Sequence, residues 1–225
     1  MIANRIIYED NHLLVVNKLP GEIVQSDKTG DLSMIDDLKN YLREKYNKPG
    51  NIYLTAVHRI DRPVSGAIIF AKTSKAAARM SKIIQSRDFH KYYLALTCAK
   101  PHPLSGNIKN YLLKNEKQNK SYIVDKSVKN AQEAELNYQY VKSTERYHLI
   151  EVELLTGRHH QIRVQLASVG AIIKGDLKYG AARSNPDGSI CLHAHKLIFA
   201  HPVKDEEMTI IAPLPESMSK LIDSD

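Results

Sequence analysis

The segment with the densest chemistry is His58-Arg59-Ile60-Asp61-Arg62-Pro63-Val64-Ser65-Gly66. One carboxylate stands between two guanidinium groups, a histidine precedes it, and Pro, Ser and Gly follow as turn formers. A carboxylate beside guanidinium groups is kept ionised at neutral pH, which suits a nucleophile or a base rather than an acid. Arginines also grip phosphates. Next comes Ala67-Ile68-Ile69-Phe70-Ala71, an apolar run that reads as a buried strand. Asp61 is therefore expected on an irregular loop delivered by rigid structure, where binding and catalytic groups concentrate. The same residues fit a structural loop in which arginines brace an aspartate ahead of a strand. Taken alone, they leave both readings open.

Other chemistries find less support. The ten histidines invite a metal site, notably His159-His160, His193-x-His195 and His201, but no HExxH and no Cys/His ligand spacing accompany them. Ser65 precedes Gly66 without a G-x-S-x-G elbow, so it reads as shaping the turn. No G-x-x-x-x-G-K or G-x-G-x-x-G cradles a nucleotide. What remains is Asp61 and the arginines of a distant segment, Thr156-Gly157-Arg158-His159-His160-Gln161-Ile162-Arg163.

Those residues need elements to position them. Ile6–Tyr8 and His12–Val16 read as two short strands, and Asp31–Tyr46 as a helix begun by a capping-box pair, Ser33 and Asp36. Thr73 and Ser74 cap a second helix that runs to Ser86. His90–Thr97 is a strand whose adjacent tyrosines, Tyr92 and Tyr93, must face opposite sides. Residues 106–130, rich in lysine and asparagine, read as a mobile basic hairpin or, equally, as a solvated surface loop. Ala134–Lys142 and Tyr147–Leu155 are long strands, and the latter alternates Ile150, Val152 and Leu154 with Glu151 and Glu153. From His160 the spacing turns helical up to Gly170. Ile190–Ala200 and Met208–Ile211 are the last strands, ahead of a short charged tail. Strands in runs with three helices interspersed predict an α+β fold with a largely antiparallel sheet.

Hydrophobic residues make up 43% and charged residues 25% of 225 residues, as in a soluble globular protein. No apolar run is long enough to span a membrane, no signal-peptide layout opens the chain, and the two cysteines, Cys98 and Cys191, read as buried free thiols. A cytoplasmic location is expected. The net charge of +7 favours an anionic partner, nucleic acid foremost.

With these motifs in place, the chain resembles the pseudouridine synthases of the RluA type. That family carries H-R-L-D-R-x-x-S-G, K-x-Y-x-A, T-G-R-x-H-Q-I-R-V, G-D-x-x-Y-G and L-H-A in order. Here stand HRIDRPVSG at His58–Gly66, Lys91–Ala95, TGRHHQIRV at Thr156–Val164, Gly175–Gly180 and Leu192–Ala194. Val15–Gly21 also resembles the family's strand and turn ahead of the catalytic loop. The resemblance implies a pseudouridine synthase fold, a mixed and largely antiparallel sheet with flanking helices and loops. It implies an isomerase that converts uridine to pseudouridine in structured ribosomal or transfer RNA, with no cofactor and no metal. In it Asp61 attacks the uracil or the ribose, Tyr93 packs against the target base, and Arg163 pairs with Asp61. The base must be flipped out of the RNA, at a cost of roughly a few kcal/mol. Arg59 and Arg62 beside Asp61, and Arg158, His160 and Gln161 beside Arg163, are assigned to RNA contact. Pro63-Val64, His159 and Gln165 depart from the family's commoner residues, which bears on specificity rather than chemistry. Many relatives carry an N-terminal RNA-binding module. With the first strand near residue 6, the expectation here is a single catalytic domain over 1–225 without one. Nothing marks an obligate protein partner, and the expected state is a monomer.

Overall fold

The structure is a computed structural model that describes residues 2–26 and 30–223. The chain folds into two compact units that interleave along the sequence: Met1–Phe89 with Ala194–Pro213, and His90–His193 with Leu214–Asp225.

The first unit is a sheet covered on both faces. Strands β1 (Ile6–Glu9), β2 (Leu13–Lys18) and β4 (Ser65–Ala71) pair antiparallel, with the two-residue β3 (Thr55–Ala56) added to the end of β4. The part of β10 (Leu192–Ala200) in this unit extends the sheet and pairs with β11 (Glu207–Ile211). Successive residues of a strand face opposite sides. Leu13, Val15, Ala67 and Ile69 therefore join Met80 of α2 (Ser74–Gln85), Leu197, Phe199 and Ile210 in one core. Leu14, Val16, Ile68 and Phe70 join Met34, Leu38 and Leu42 of α1 (Met34–Lys45) in the other. Two covered faces explain why Ala67–Ala71 is apolar without alternation. Both helices begin as the sequence predicts: the Ser33/Asp36 capping box is formed, and Thr73 caps α2 through Ala76 N–H.

The second unit is an antiparallel array in the order β5 (Phe89–Thr97), β9 (His148–Leu154), β8 (Gln132–Ser143), β6 (Ser105–Asn115), β7 (Lys120–Val124). Helix α3 (Gln161–Ser168), a single 3-10 turn at Leu177–Tyr179 and α4 (Glu216–Asp223) complete it. The chain is α+β, as predicted.

Two local readings are corrected, and the hairpin reading of a third segment is given its register. The charged tail contains α4, whose Met218 and Ile222 are buried with Leu96, Leu149 and Cys191. Cys98 is exposed, because it follows the last residue of β5 instead of belonging to it. The basic segment 106–130 is built on strand pairing: β6 runs beside β8 from Ser105 to Leu112 and beside β7 from Tyr111 to Asn115. Leu112 and Ala134 pack with Val164 at that root. No helix among the described residues is long and apolar enough to cross a membrane.

Candidate active site

In the first unit, Asp61 sits half-buried on the loop between β3 and β4. Asp61 C=O accepts from Val64 N–H at 3.0 Å, closing a turn through Pro63. The loop is held from below by Lys18, the last residue of β2 and fully buried. Its Nζ donates to the carbonyls of Val64 at 2.7 Å, Arg62 at 2.9 Å, Leu19 at 3.0 Å and Asp61 at 3.4 Å. A buried ammonium needs such a ring of acceptors to offset its lost hydration. Burial nonetheless pulls its pKa down to about 8. Arg62 fastens the loop sideways: Nε donates to Gly21 C=O at 2.9 Å and Nη1 lies 3.0 Å from Asp31 Oδ2, while Gly21 N–H donates to Arg62 C=O at 2.8 Å. Arg59 is exposed. His58 Nε2 accepts from Ile69 N–H at 3.3 Å, and its ring lies against Phe89. Ser65 is buried at the start of β4.

The other predicted site residues belong to the second unit. Tyr93 is buried in β5 opposite Val152 of β9; its neighbour Tyr92 stands opposite Glu153 and donates to Oε1 at 3.3 Å. Arg163 is buried on α3 in a two-pronged ion pair with Asp176, Nε to Oδ2 at 2.7 Å and Nη2 to Oδ1 at 2.8 Å. A bidentate fork fixes the guanidinium plane as well as its position. The Tyr179 ring lies 5.2 Å from the Arg163 guanidinium carbon.

The residues around Arg163 also make local contacts. Gln161 is buried; its Oε1 accepts from Thr156 Oγ1 at 2.8 Å and Arg158 N–H at 3.0 Å, and its Nε2 donates to Glu135 C=O at 3.0 Å. Arg158 is exposed and donates from Nε to Glu133 C=O at 2.8 Å. His160 takes the left-handed conformation, φ 55°, ahead of α3, and stacks on His159 at 3.8 Å. Its Nδ1 lies 3.0 Å from Tyr179 Oη. Burial, reinforced by the positive charge of Arg163, pushes its pKa down to about 2, so this imidazole is neutral. Among the described residues, no group of three or more His, Cys, Asp or Glu side chains could hold a metal ion.

Residues 12–168 match the model of the RNA pseudouridylate synthase family. The chain belongs to that family. The family's activity makes it an RNA pseudouridine synthase, an isomerase acting on RNA. An uncharacterized RNA pseudouridine synthase of Bacillus subtilis (strain 168), YhcT, is 32% identical over 219 residues, covering 96% of this chain and 70% of that protein. Ribosomal large subunit pseudouridine synthase C of Vibrio vulnificus (strain CMCP6) is 30% identical over 229 residues, covering 99% and 70%. Among solved structures, Human RNA Pseudouridylate Synthase Domain Containing 4 superposes with a TM-score of 0.82 at 25% identity, covering 98% of this chain and 92% of that one.

Within a pseudouridine synthase, the structure adds residues to which the sequence reading gave no role. Lys18 was visible only as part of a strand-and-turn motif, although a lysine closing a strand that opens with four apolar residues is a signal for a buried, partnered cation. Asp176 and Tyr179 were visible as a motif without a task; the structure places both on Arg163.

Proposed function

We propose that this pseudouridine synthase isomerises specific uridines in structured ribosomal or transfer RNA, with Asp61 as the nucleophile and the target base flipped out of the RNA. Tyr93 and Arg163 act in the roles that the family resemblance gives them. The observation that carries the reading is the Asp61 loop itself. A half-buried carboxylate is displayed on backbone pinned by a buried lysine, inside the His58–Gly66 motif. Holding a reacting group in one geometry is where such an active site gains rate. Arg59, exposed beside Asp61, is assigned to the RNA backbone, and so is Arg158. Arg62 contributes by latching the loop to Gly21 and Asp31.

The reaction breaks N1–C1′ and joins C5 to C1′, so the hydrogen on C5 is lost to water. The test uses RNA labelled with tritium at uridine C5, prepared from cells lacking this protein. Wild-type enzyme should release tritium, and purified Asp61→Asn should release none above background. Release by the variant at the wild-type rate would remove Asp61 from the chemistry. Mapping which uridines the wild type converts in the same RNA separates ribosomal from transfer RNA substrates.

A further inference from the structure

The basic hairpin β6–β7 has no task in the reading above, yet it is tied to the residues around Arg163, and Tyr179 stands at the centre of one of these ties. Tyr179 Oη accepts from Ser121 N–H at 2.9 Å and lies 3.1 Å from Ser121 C=O. The same oxygen lies 3.0 Å from His160 Nδ1. With the phenol proton given to Ser121 C=O, Ser121 N–H and a neutral His160 Nδ1–H fill the two lone pairs of Oη, and every partner is satisfied. Two cations lie over the ring: Lys120 Nζ of the hairpin is 5.1 Å from its centroid and the Arg163 guanidinium carbon 5.2 Å. Second ties run alongside. Ser121 Oγ donates to His159 C=O at 2.7 Å, His159 Nε2 lies 3.1 Å from Asn119 Oδ1, and Lys178 Nζ donates to Asn119 C=O at 2.9 Å.

We propose that Tyr179 is a positioning residue that couples the β6–β7 hairpin to Arg163, so that the hairpin's seating sets the orientation of the guanidinium. Asp176 fixes one edge of the Arg163 fork and the Tyr179 ring fixes its face; Oη ties that ring to Ser121. An RNA strand that presses or lifts the hairpin thereby acts on Arg163. This inference rests on the reading in which Arg163 serves the reaction.

The experiment measures kcat and KM for tritium release from C5-labelled RNA of a strain lacking the protein, alongside thermal unfolding. Four variants are compared: Arg163→Lys, Tyr179→Phe, Ser121→Pro and the Tyr179→Phe/Ser121→Pro pair. Tyr179→Phe keeps the ring on Arg163 and removes the Oη bonds. Ser121→Pro removes the N–H that the phenol accepts. Tyr179→Phe and Ser121→Pro, which also removes the Oγ bond to His159 C=O, should each lower kcat about tenfold, and the pair should lower it no further than Ser121→Pro alone, because both cut the link between Oη and Ser121. A purely structural tyrosine would instead shift the unfolding temperature and leave kcat of the folded enzyme at the wild-type value, which overturns the proposal. Additive losses in the pair overturn it as well. Should Ser121→Pro not fold, Tyr179→Phe alone decides: an about tenfold loss of kcat at an unchanged unfolding temperature supports the coupling, and a wild-type kcat overturns it. If Arg163→Lys keeps full kcat, the assignment of Arg163 to the reaction fails. If Arg163→Lys is slow while Tyr179→Phe is not, the coupling alone fails.

Discussion

Lys18 shows what one buried charge does for a reactive loop. Its partners are backbone carbonyls, so the sequence of the loop is irrelevant to the contact but its path is not. In Lys18→Met the apolar stem is retained and the carbonyls of Arg62 and Val64 lose their shared donor. The Asp61 loop then samples other paths, and kcat should fall at least about tenfold with a smaller change in KM, as expected when a reacting group is misplaced. Steady-state kinetics on the labelled RNA checks this. The charge also predicts a pH dependence. The folded-state pKa of about 8 lies below the ordinary 10.5, so the folded chain gives up this proton first. Above about pH 8 the unfolded chain binds more protons, and stability from this group rises with pH until both forms are neutral. Wild type should therefore gain on Lys18→Met between pH 8 and 10, by on the order of 1–3 kcal/mol in denaturant unfolding, and the gap should be flat below pH 8. A gap that narrows as pH rises would contradict the assignment. Asp61 was legible as a candidate because its motif is contiguous. Lys18 had no legible task, because Arg62 and Val64 are brought to it only by the pairing of β2 with β4.

Among the elements, β4 carries the strictest local requirement. Gly66, its second residue, has φ +122°, and an added Cβ would stand 2.4 Å from Ala194 O and 2.5 Å from Ala194 N. These are backbone atoms of an interior strand, which cannot turn aside as a side chain can. Gly66→Ala should cost more than about 4 kcal/mol, the range reserved for a clash in a packed core. Gly170, φ +79°, has nothing within 4 Å of the same added atom. Gly170→Ala should therefore cost only the conformational strain, about 1–2 kcal/mol. Urea unfolding of the two variants side by side reads the difference, and equal losses would mean that the close approach to Ala194 is relieved at little cost. Elements of this unit were readable wherever the signal was local. The Ser33/Asp36 box and the Thr73 cap are interactions between near neighbours in sequence, and both form as read. The apolar run of β4 gave its burial on two faces. Gly66 was read as part of a turn, because its actual constraint comes from Ala194, far along the chain.

At the scale of the molecule, the two units are discontinuous in sequence, and pattern reading sees only neighbours. The first unit's core includes Leu197, Phe199 and Ile210, supplied after the chain has built the second unit's strands. The second unit's core likewise includes Met218 and Ile222, supplied after the chain has returned through β10 and β11. The helix that carries them was missed because Pro215 and a charged composition surround it, although Met218, Leu221 and Ile222 already stand at helical spacing. Its burial makes a prediction. A chain ended at Pro213 lacks the cover over Leu96, Leu149 and Cys191, and Lys142 Nζ loses the Ile222 carbonyl that it reaches at 3.0 Å. Losing burial of Met218 and Ile222 alone removes about 3–6 kcal/mol, at roughly 1.5–3 kcal/mol for each side chain. That is a large share of the stability of an ordinary domain. The shortened chain should unfold at a much lower urea concentration than the full chain and bind a hydrophobic dye in buffer. A midpoint equal to that of the full chain would mean that α4 lies on the second unit without supporting it. Double substitution of Met218 and Ile222 by serine in the full-length chain should reproduce the loss, because it removes the apolar contacts while keeping the backbone in place.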